Sequence, residues 1–468
     1  MYTIQHFING ETFKDNQQYA DVYNPALGST IGKVSIASES TTKKAINAAK
    51  DAFPGWRATP PLKRAQIFFK FKQLLEQNRQ QICELLTLEH GKVLADAEGE
   101  LIRGIENVEY ACGIPELLKG EYSRQVGPQI DSWSEFQPLG VVAGITPFNF
   151  PAMVPLWMFP MAIACGNTFI LKPSEKDPSA PLYIAQLLHQ AGLPPGVFNV
   201  VNGDKDTVNT LLESNDVKAI SFVGSTPVAE HIYRQGSFNG KRVQALGGAK
   251  NHAIVMPDAD IDNTVNALMG AAYGSCGERC MAISVVVCVG DAVADNITVQ
   301  LTQKLSAMKV GAGTDPTQEM GPIIDGKQLD RILGLIEQGE KEGATLVVDG
   351  RKLEVKDYPN GFFLGGCLFD HVTPEMTIYN TEIFGPVLCV VRVNSLQEAM
   401  DMVNEHEYGN GTCIFTRDGE AARYFSDHVN IGMVGVNVPL PVPSAYHSFG
   451  GWKRSLFGDL SAYGPDSV

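Results

Sequence analysis

The sequence is short of positive charge. Lys and Arg number 37 against 52 Asp and Glu, a formal net charge of −15. That balance repels phosphate backbones and anionic lipid, so neither nucleic acid nor a membrane is an expected partner. Long unbroken hydrophobic runs are also missing. The most apolar stretch, 148–165, carries Pro151, Pro155 and Pro160. It is too short and too interrupted for a membrane span, and reads as buried structure around a site. Met1–Phe7 shows neither a basic segment leading into an apolar one nor an Arg-rich amphipathic run. No secretory or transit signal is expected, and the expected location is cytoplasmic. The nine cysteines are odd in number and scattered, which argues for a reducing compartment and against a disulfide framework. None has zinc spacing, so no metal is expected. GxGxxG and Walker loops are both absent.

What remains is an ordinary globular composition, 44% hydrophobic and 19% charged, over 468 residues. That length exceeds one core, and two or three domains are expected. Helical periodicity covers 39–52, 60–89 and 93–110. The alternating segment 130–136 reads as a half-exposed strand suited to adding to a partner's sheet. Apolar runs at 140–145, 168–171, 197–201 and 219–223 alternate with helical segments at 180–191 and 206–213. This is the signature of a parallel sheet covered on both faces, hence an α/β fold. A second α/β segment spans about 251–434.

Cys280 stands in Gly274-Ser275-Cys276-Gly277-Glu278-Arg279-Cys280-Met281-Ala282. Upstream, Thr146-Pro147-Phe148-Asn149-Phe150-Pro151 offers a side-chain amide in an apolar setting. A thiol nucleophile with a remote amide donor suits attack on a carbonyl carbon, the amide holding the oxyanion. Cys276 is close enough in sequence to trap an oxidised Cys280 as a disulfide. For a nucleotide, Gly224 allows a tight turn after a strand. Ser225 can cap the following helix and Pro227 suits its first turn, leaving the helix N-terminus to a pyrophosphate. Lys172 and Glu175 lie just beyond another strand, where ribose binds in open α/β sheets. Glu175 would accept from a 2′-hydroxyl and repel a 2′-phosphate, favouring NAD over NADP.

Taken together, Thr146–Pro151, Lys172–Glu175, Phe222–Ser225, the Cys280 segment and Glu382-Ile383-Phe384-Gly385-Pro386-Val387 resemble, in order and spacing, the aldehyde dehydrogenase family over essentially the whole chain. The Gly248–His252, Met256–Ala259, Arg279–Ala282 and Gly435–Pro439 segments are similar to its CoA-acylating methylmalonate-semialdehyde branch. The resemblance implies an aldehyde dehydrogenase fold in three parts. These are a Rossmann-like NAD-binding domain (1–121 and 140–248), a catalytic domain (249–434) and a small β oligomerisation arm (122–139 and 435–468), in a homodimer or homotetramer. It implies Cys280 as nucleophile, with Asn149 and the Cys280 N–H as oxyanion donors. Lys172 and Glu175 would contact the adenosine ribose, Gly224 and Ser225 the pyrophosphate, and Glu382 the nicotinamide ribose. Phe148 and Phe384 would pack beside the cofactor.

Members that hydrolyse their acyl-enzyme carry a Glu heading a Glu-Leu-Gly-Gly-Lys motif. Here the segment reads Gln244-Ala245-Leu246-Gly247-Gly248-Ala249-Lys250, and either Ala245 or Leu246 takes that place. Neither is a base, and water needs one where a thiol does not. The acyl group is therefore expected to leave on coenzyme A, the alternatives being a hydrolytic NAD-dependent dehydrogenase of another acidic semialdehyde and a catalytically silent structural relative. By the same resemblance, Arg103 and Arg279 clamp a substrate carboxylate, and the substrate is malonate or methylmalonate semialdehyde. Read alone, Arg103 sits three residues from both Glu100 and Glu106, an exposed salt-bridge ladder. Glu278 replaces the expected Gln, and an inward-pointing carboxylate there would raise the Cys280 pKa.

Overall fold

The computed structural model of the chain describes residues 2–15 and 17–468. The expected helices form, with one break. The 60–89 stretch divides at Asn78 into Pro61–Gln77 and Arg79–His90. The Asn78 amide donates to the Leu74 carbonyl at 2.8 Å and its oxygen accepts from the Tyr183 hydroxyl at 2.7 Å. A side chain competing for backbone carbonyls in this way ends a helix. The proline-rich stretch behaves in the opposite sense. Met153–Ala164 is helical despite Pro155 and Pro160. Pro155 lies in the first turn, where its missing N–H has no intrahelical partner anyway. The helix is apolar on nearly every side and almost entirely buried, so packing outweighs the loss at Pro160.

Eight strands form the first sheet. Its parallel core runs, in spatial order, Arg242–Leu246, Val217–Val223, Val141–Ile145, Thr168–Lys172 and Phe198–Val200. The chain starts in the middle, builds outward on one side, then returns to build the other. The reversal falls between Val141–Ile145 and Val217–Val223, and a crevice opens at the carboxyl ends of strands at such a switch point. Val141–Ile145 and Thr168–Lys172 are buried at every position, as strands covered on both faces require.

The second sheet has seven strands, all parallel except the edge strand Thr345–Val348. Cys280 precedes its strand Ile283–Val289, and Glu382 and Phe384 precede Val387–Val393. The site residues of this sheet thus sit at its amino edge, facing the carboxyl edge of the first.

The arm departs from expectation in two ways. Tyr122–Gly127 and Ile130–Trp133 form a hairpin that pairs only with itself among the described residues. Ile130–Trp133 is exposed on both faces rather than one. The segment 435–468, expected to join it, goes elsewhere. Met433–Val436 completes the second sheet, Trp452–Lys453 pairs with Tyr408–Gly409, and Leu456–Phe457 adds antiparallel to Arg242–Leu246. Those two-residue strands carry too little alternation to be legible in sequence. No helix among the described residues is long and apolar enough to cross a membrane.

Helix Leu94–Cys112 packs closely on Met153–Ala164. A Cβ on Gly104 would lie 2.6 Å from Leu156 Cδ1 and 3.2 Å from its Cβ. Gly104→Val is expected to destabilise the protein by about 1–3 kcal/mol through overpacking, read as a lower urea midpoint. An unchanged midpoint would mean the two helices separate freely.

Candidate active site

A cleft of about 270 Å³ opens where the two sheet edges meet, lined by Phe148, Asn149, Gly224, Ser225, Cys280, Glu382 and Phe384 among others. Seven of the expected site residues therefore converge. Lys172 and Glu175 do not line this cleft. They stand at the end of the adjoining strand Thr168–Lys172, paired Nζ to Oε2 at 3.3 Å. The Lys172 carbonyl accepts from Thr146 N–H at 3.1 Å, so both loops leave one sheet edge together.

Asn149 is buried, and its side-chain amide has no hydrogen-bond partner among the described residues. Its backbone is firmly held. Lys92 Nζ donates to the Asn149 carbonyl at 2.7 Å and pairs with Glu100 Oε2 at 2.6 Å, both side chains being fully buried. Glu100 Oε1 in turn accepts from the Ala152 and Met153 amides at 2.8 and 3.1 Å, at the start of helix Met153–Ala164. A carboxylate there satisfies orphan donors and complements the helix dipole. Glu100 was expected on an exposed ladder. Only its other half exists, Arg103 with Glu106 at 3.0 Å, and the Arg103 side chain is 47% exposed. Arg103 lines no cavity that Cys280 lines. It lies midway along helix Leu94–Cys112, and Tyr463 feels both its charge and Cys280.

The nucleophile loop turns sharply. Ser275, Cys276 and Gly277 have φ of 48°, 56° and 66°. The left-handed region costs a non-glycine residue about 1–2 kcal/mol, so neighbours must hold the turn. Asp96 does so, its Oδ2 accepting from the Ser275 N–H and Oγ, both at 3.0 Å. The Cys280 carbonyl accepts from Asn251 and Asn410 side-chain amides at 2.9 and 3.1 Å. Cys280 is half-buried, and the other eight cysteines are buried. Burial first, then the nearby Glu382 carboxylate, pushes its thiol up to about 12, while its own and the Met281 N–H and Arg279 pull the other way. The balance favours the protonated thiol. Glu278 is not the cause. It is turned into the core, accepts weakly from Ile324 N–H at 3.5 Å, and is raised to about 8 by burial. Its charge bears on Cys276. Cys276 donates its thiol to the Gly321 carbonyl at 2.8 Å within the second sheet's core, whereas Cys280 packs against the first core. This arrangement gives no support to a Cys276–Cys280 disulfide.

Arg279 lines a small cavity with Cys280 and Glu382. Its Nη2 pairs with Asp96 Oδ1 at 2.7 Å, and its side chain is 17% exposed. Glu382 Oε1 accepts from Ala249 N–H at 3.0 Å, and burial raises its carboxyl to about 7. Arg331 holds the Ile383 and Glu382 carbonyls at 2.6 Å each. Phe384, at φ 56°, meets Phe148 edge-on at 5.8 Å.

The nucleotide turn has a different origin from the one expected. Gly224 is not left-handed. Instead, a Cβ there would lie 2.5 Å from Phe222 Cζ. Ser225 occupies the cap position of helix Thr226–Phe238 but makes no capping bond with its side chain. The helix's positive end is therefore left open at the cleft, as a pyrophosphate requires. The two alignments of the missing Glu also separate. Leu246 packs in the core that holds Val223 and Met281, with Cys280 at its margin, whereas Ala245 packs with Phe222 and Ile232 on the other side of the sheet. Leu246 is the residue on the nucleophile's side.

Lys92, Asp96 and Glu100 were not legible as site residues. The available signal was the placement of Asp96, Glu100 and Arg103 at four- and three-residue steps along one helix face.

The aldehyde dehydrogenase family pattern matches residues 13–468. A malonate-semialdehyde dehydrogenase of Pseudomonas aeruginosa is 69% identical over 468 residues, covering 100% of this chain and 94% of the relative. Another, from Halalkalibacterium halodurans, is 50% identical over 466 residues, 99% of this chain and 96% of the relative. The crystal structure of methylmalonate-semialdehyde dehydrogenase from Oceanimonas doudoroffii superposes with a TM-score of 0.99 at 66% identity, covering 100% of this chain and 96% of that one. A Sinorhizobium meliloti chain solved with NAD gives 0.99 at 53% identity, covering 100% and 95%.

With the thiol pushed up to about 12, the neutral form prevails at working pH. Alkylation of Cys280 by iodoacetamide, followed by mass spectrometry, is expected to rise about tenfold per pH unit between about pH 7 and 9. A plateau in that window would mean the thiolate is already formed.

Proposed function

Because the chain belongs to the aldehyde dehydrogenase family, we propose that it oxidises malonate or methylmalonate semialdehyde with NAD and passes the acyl group to coenzyme A. The products are acetyl-CoA and propionyl-CoA. The observation that carries the CoA half is Leu246, an apolar side chain where a water-activating carboxylate would stand. The semialdehyde half is supported by the names of relatives at 69% and 66% identity and by a guanidinium beside the nucleophile.

The residues present fit NAD. Gly224 and the open end of helix Thr226–Phe238 suit its pyrophosphate, Lys172 and Glu175 its adenosine ribose, and Glu382 its nicotinamide ribose. Phe148 and Phe384 would flank it. When bound, NAD accepts the hydride. The chain's own residues do the rest. Cys280 gives its proton to solvent water in the cleft, and its sulfur bonds to the aldehyde carbon as the carbonyl π pair moves onto oxygen. The Asn149 amide and the Cys280 N–H hold the oxygen as it becomes negative, a contribution worth about 10²–10³ in rate per donor. Oxidation leaves a thioester on Cys280 with a carboxylate at the β position, held by Arg279. Arg103 is exposed and already paired, and is not assigned to this clamp. The carbon–carboxylate bond then breaks, its electron pair entering the thioester carbonyl, and carbon dioxide departs. A proton returns to the α carbon. Coenzyme A sulfur attacks the carbonyl carbon and the Cys280 sulfur leaves. We further propose that the hairpin 122–133, with Tyr122, Ile130 and Trp133 at 63%, 56% and 68% exposure, docks on a second copy in a homodimer or homotetramer.

NADH formation from malonate semialdehyde is expected to require coenzyme A beyond the first turnover, with acetyl-CoA as product. CoA-independent turnover to a free acid would overturn the reading and assign water activation to Glu382. Leu246→Glu is expected to gain such CoA-independent turnover. Trp133→Asp is expected to reduce the molecular mass seen by light scattering to that of a smaller assembly.

A further inference from the structure

Helix Leu94–Cys112 holds both loops of the site from one face. Glu100 secures the Asn149 loop, and Asp96, one turn earlier, secures the nucleophile loop. Asp96 divides its oxygens between two tasks. Oδ2 takes both Ser275 donors at 3.0 Å, and Oδ1 takes Arg279 Nη2 at 2.7 Å. Among the described residues Arg279 makes one other side-chain hydrogen bond, Nη1 to the Gly270 carbonyl at 3.2 Å. Its Nε–H has no partner among the described residues. A guanidinium offers five N–H groups in a rigid fork, so an edge remains for a ligand carboxylate while Asp96 grips another.

We propose that Asp96 is a positioning residue for acidic substrates, pinning one edge of Arg279 and the Ser275 turn so that a substrate carboxylate and the Cys280 sulfur are held in register. This rests on the acidic-semialdehyde reading above. The rival role for Asp96 is simple neutralisation of Arg279. The two have opposite signs. Removing a positioning group weakens carboxylate recognition, whereas removing a neutralising one strengthens it.

The test uses the full-length enzyme with Asp96→Ala and Asp96→Asn. With NAD and coenzyme A, Asp96→Ala is expected to raise KM for malonate semialdehyde about tenfold or more and to leave KM for propionaldehyde within about twofold. Asp96→Asn keeps an oxygen for Arg279 and is expected to fall between Asp96→Ala and the wild type. Without turnover, Cys280 is alkylated by iodoacetate and, separately, by iodoacetamide. The charged reagent's rate relative to the neutral one's is expected to fall about threefold or more in Asp96→Ala. A ratio that rises, or KM values that rise equally for both aldehydes, overturns the proposal. If wild type shows no preference for the acidic aldehyde, the functional reading fails, and the alkylation ratio still decides the role of Asp96. Should Asp96→Ala not fold, Asp96→Asn supplies the same comparison.

Discussion

A single buried ion pair underlies the site. Lys92 and Glu100 are fully enclosed, 2.6 Å apart, and together reach the Asn149 carbonyl and the first amides of helix Met153–Ala164. Two desolvated charges stabilise a fold only when their remaining donors and acceptors are also satisfied. Here they are satisfied largely by the backbone of the Asn149 loop. Removing one partner would leave the other charged and unpaired, a loss of about 3–5 kcal/mol. The pair is therefore less a source of net stability than a geometric constraint. It leaves the loop little freedom, and a preorganised amide is what lets an oxyanion hole act without rearrangement.

The same helix face governs the nucleophile through Asp96. Residues from three distant parts of the chain are thus referred to one rigid element, Leu94–Cys112, instead of to each other. The rest of the cleft is electrostatically restrained. Burial and the Glu382 carboxylate push the half-buried Cys280 thiol up, and burial raises Glu382 in turn. A raised carboxyl beside a raised thiol describes a site in which charge is disfavoured until ligands arrive.

How much of this was readable depends on range. Cys280, Asn149, Gly224, Ser225, Glu382 and Phe384 lie in short motifs bordering strands, and strands announce themselves by continuous apolar runs. Their convergence follows from the topology. Lys92, Asp96 and Glu100 carry no motif. Their partners are 57, 179 and 52 positions away, and charged residues on a helix look solvated until tertiary packing turns them inward. Arg103, on the same helix, keeps an exposed side chain paired with Glu106. At Gly224 the demand for glycine comes from the Phe222 ring rather than from backbone conformation. The pairings of the 435–468 segment were not legible because its strands Trp452–Lys453 and Leu456–Phe457 are two residues long and are defined only by the edges they meet.

Those edges have a consequence for how the chain is made. Leu246 pairs with Leu456, and the Gly248 carbonyl is bonded by the Ser455 hydroxyl, 207 positions further along. During synthesis, strand Arg242–Leu246 therefore emerges as an open edge while the whole second sheet is still to come. At ~5–20 residues per second, that interval is roughly 10–40 s. For that period the first sheet presents unpaired backbone, a template for association with other nascent chains. The unit whose strands are translated first is thus among the last to be closed.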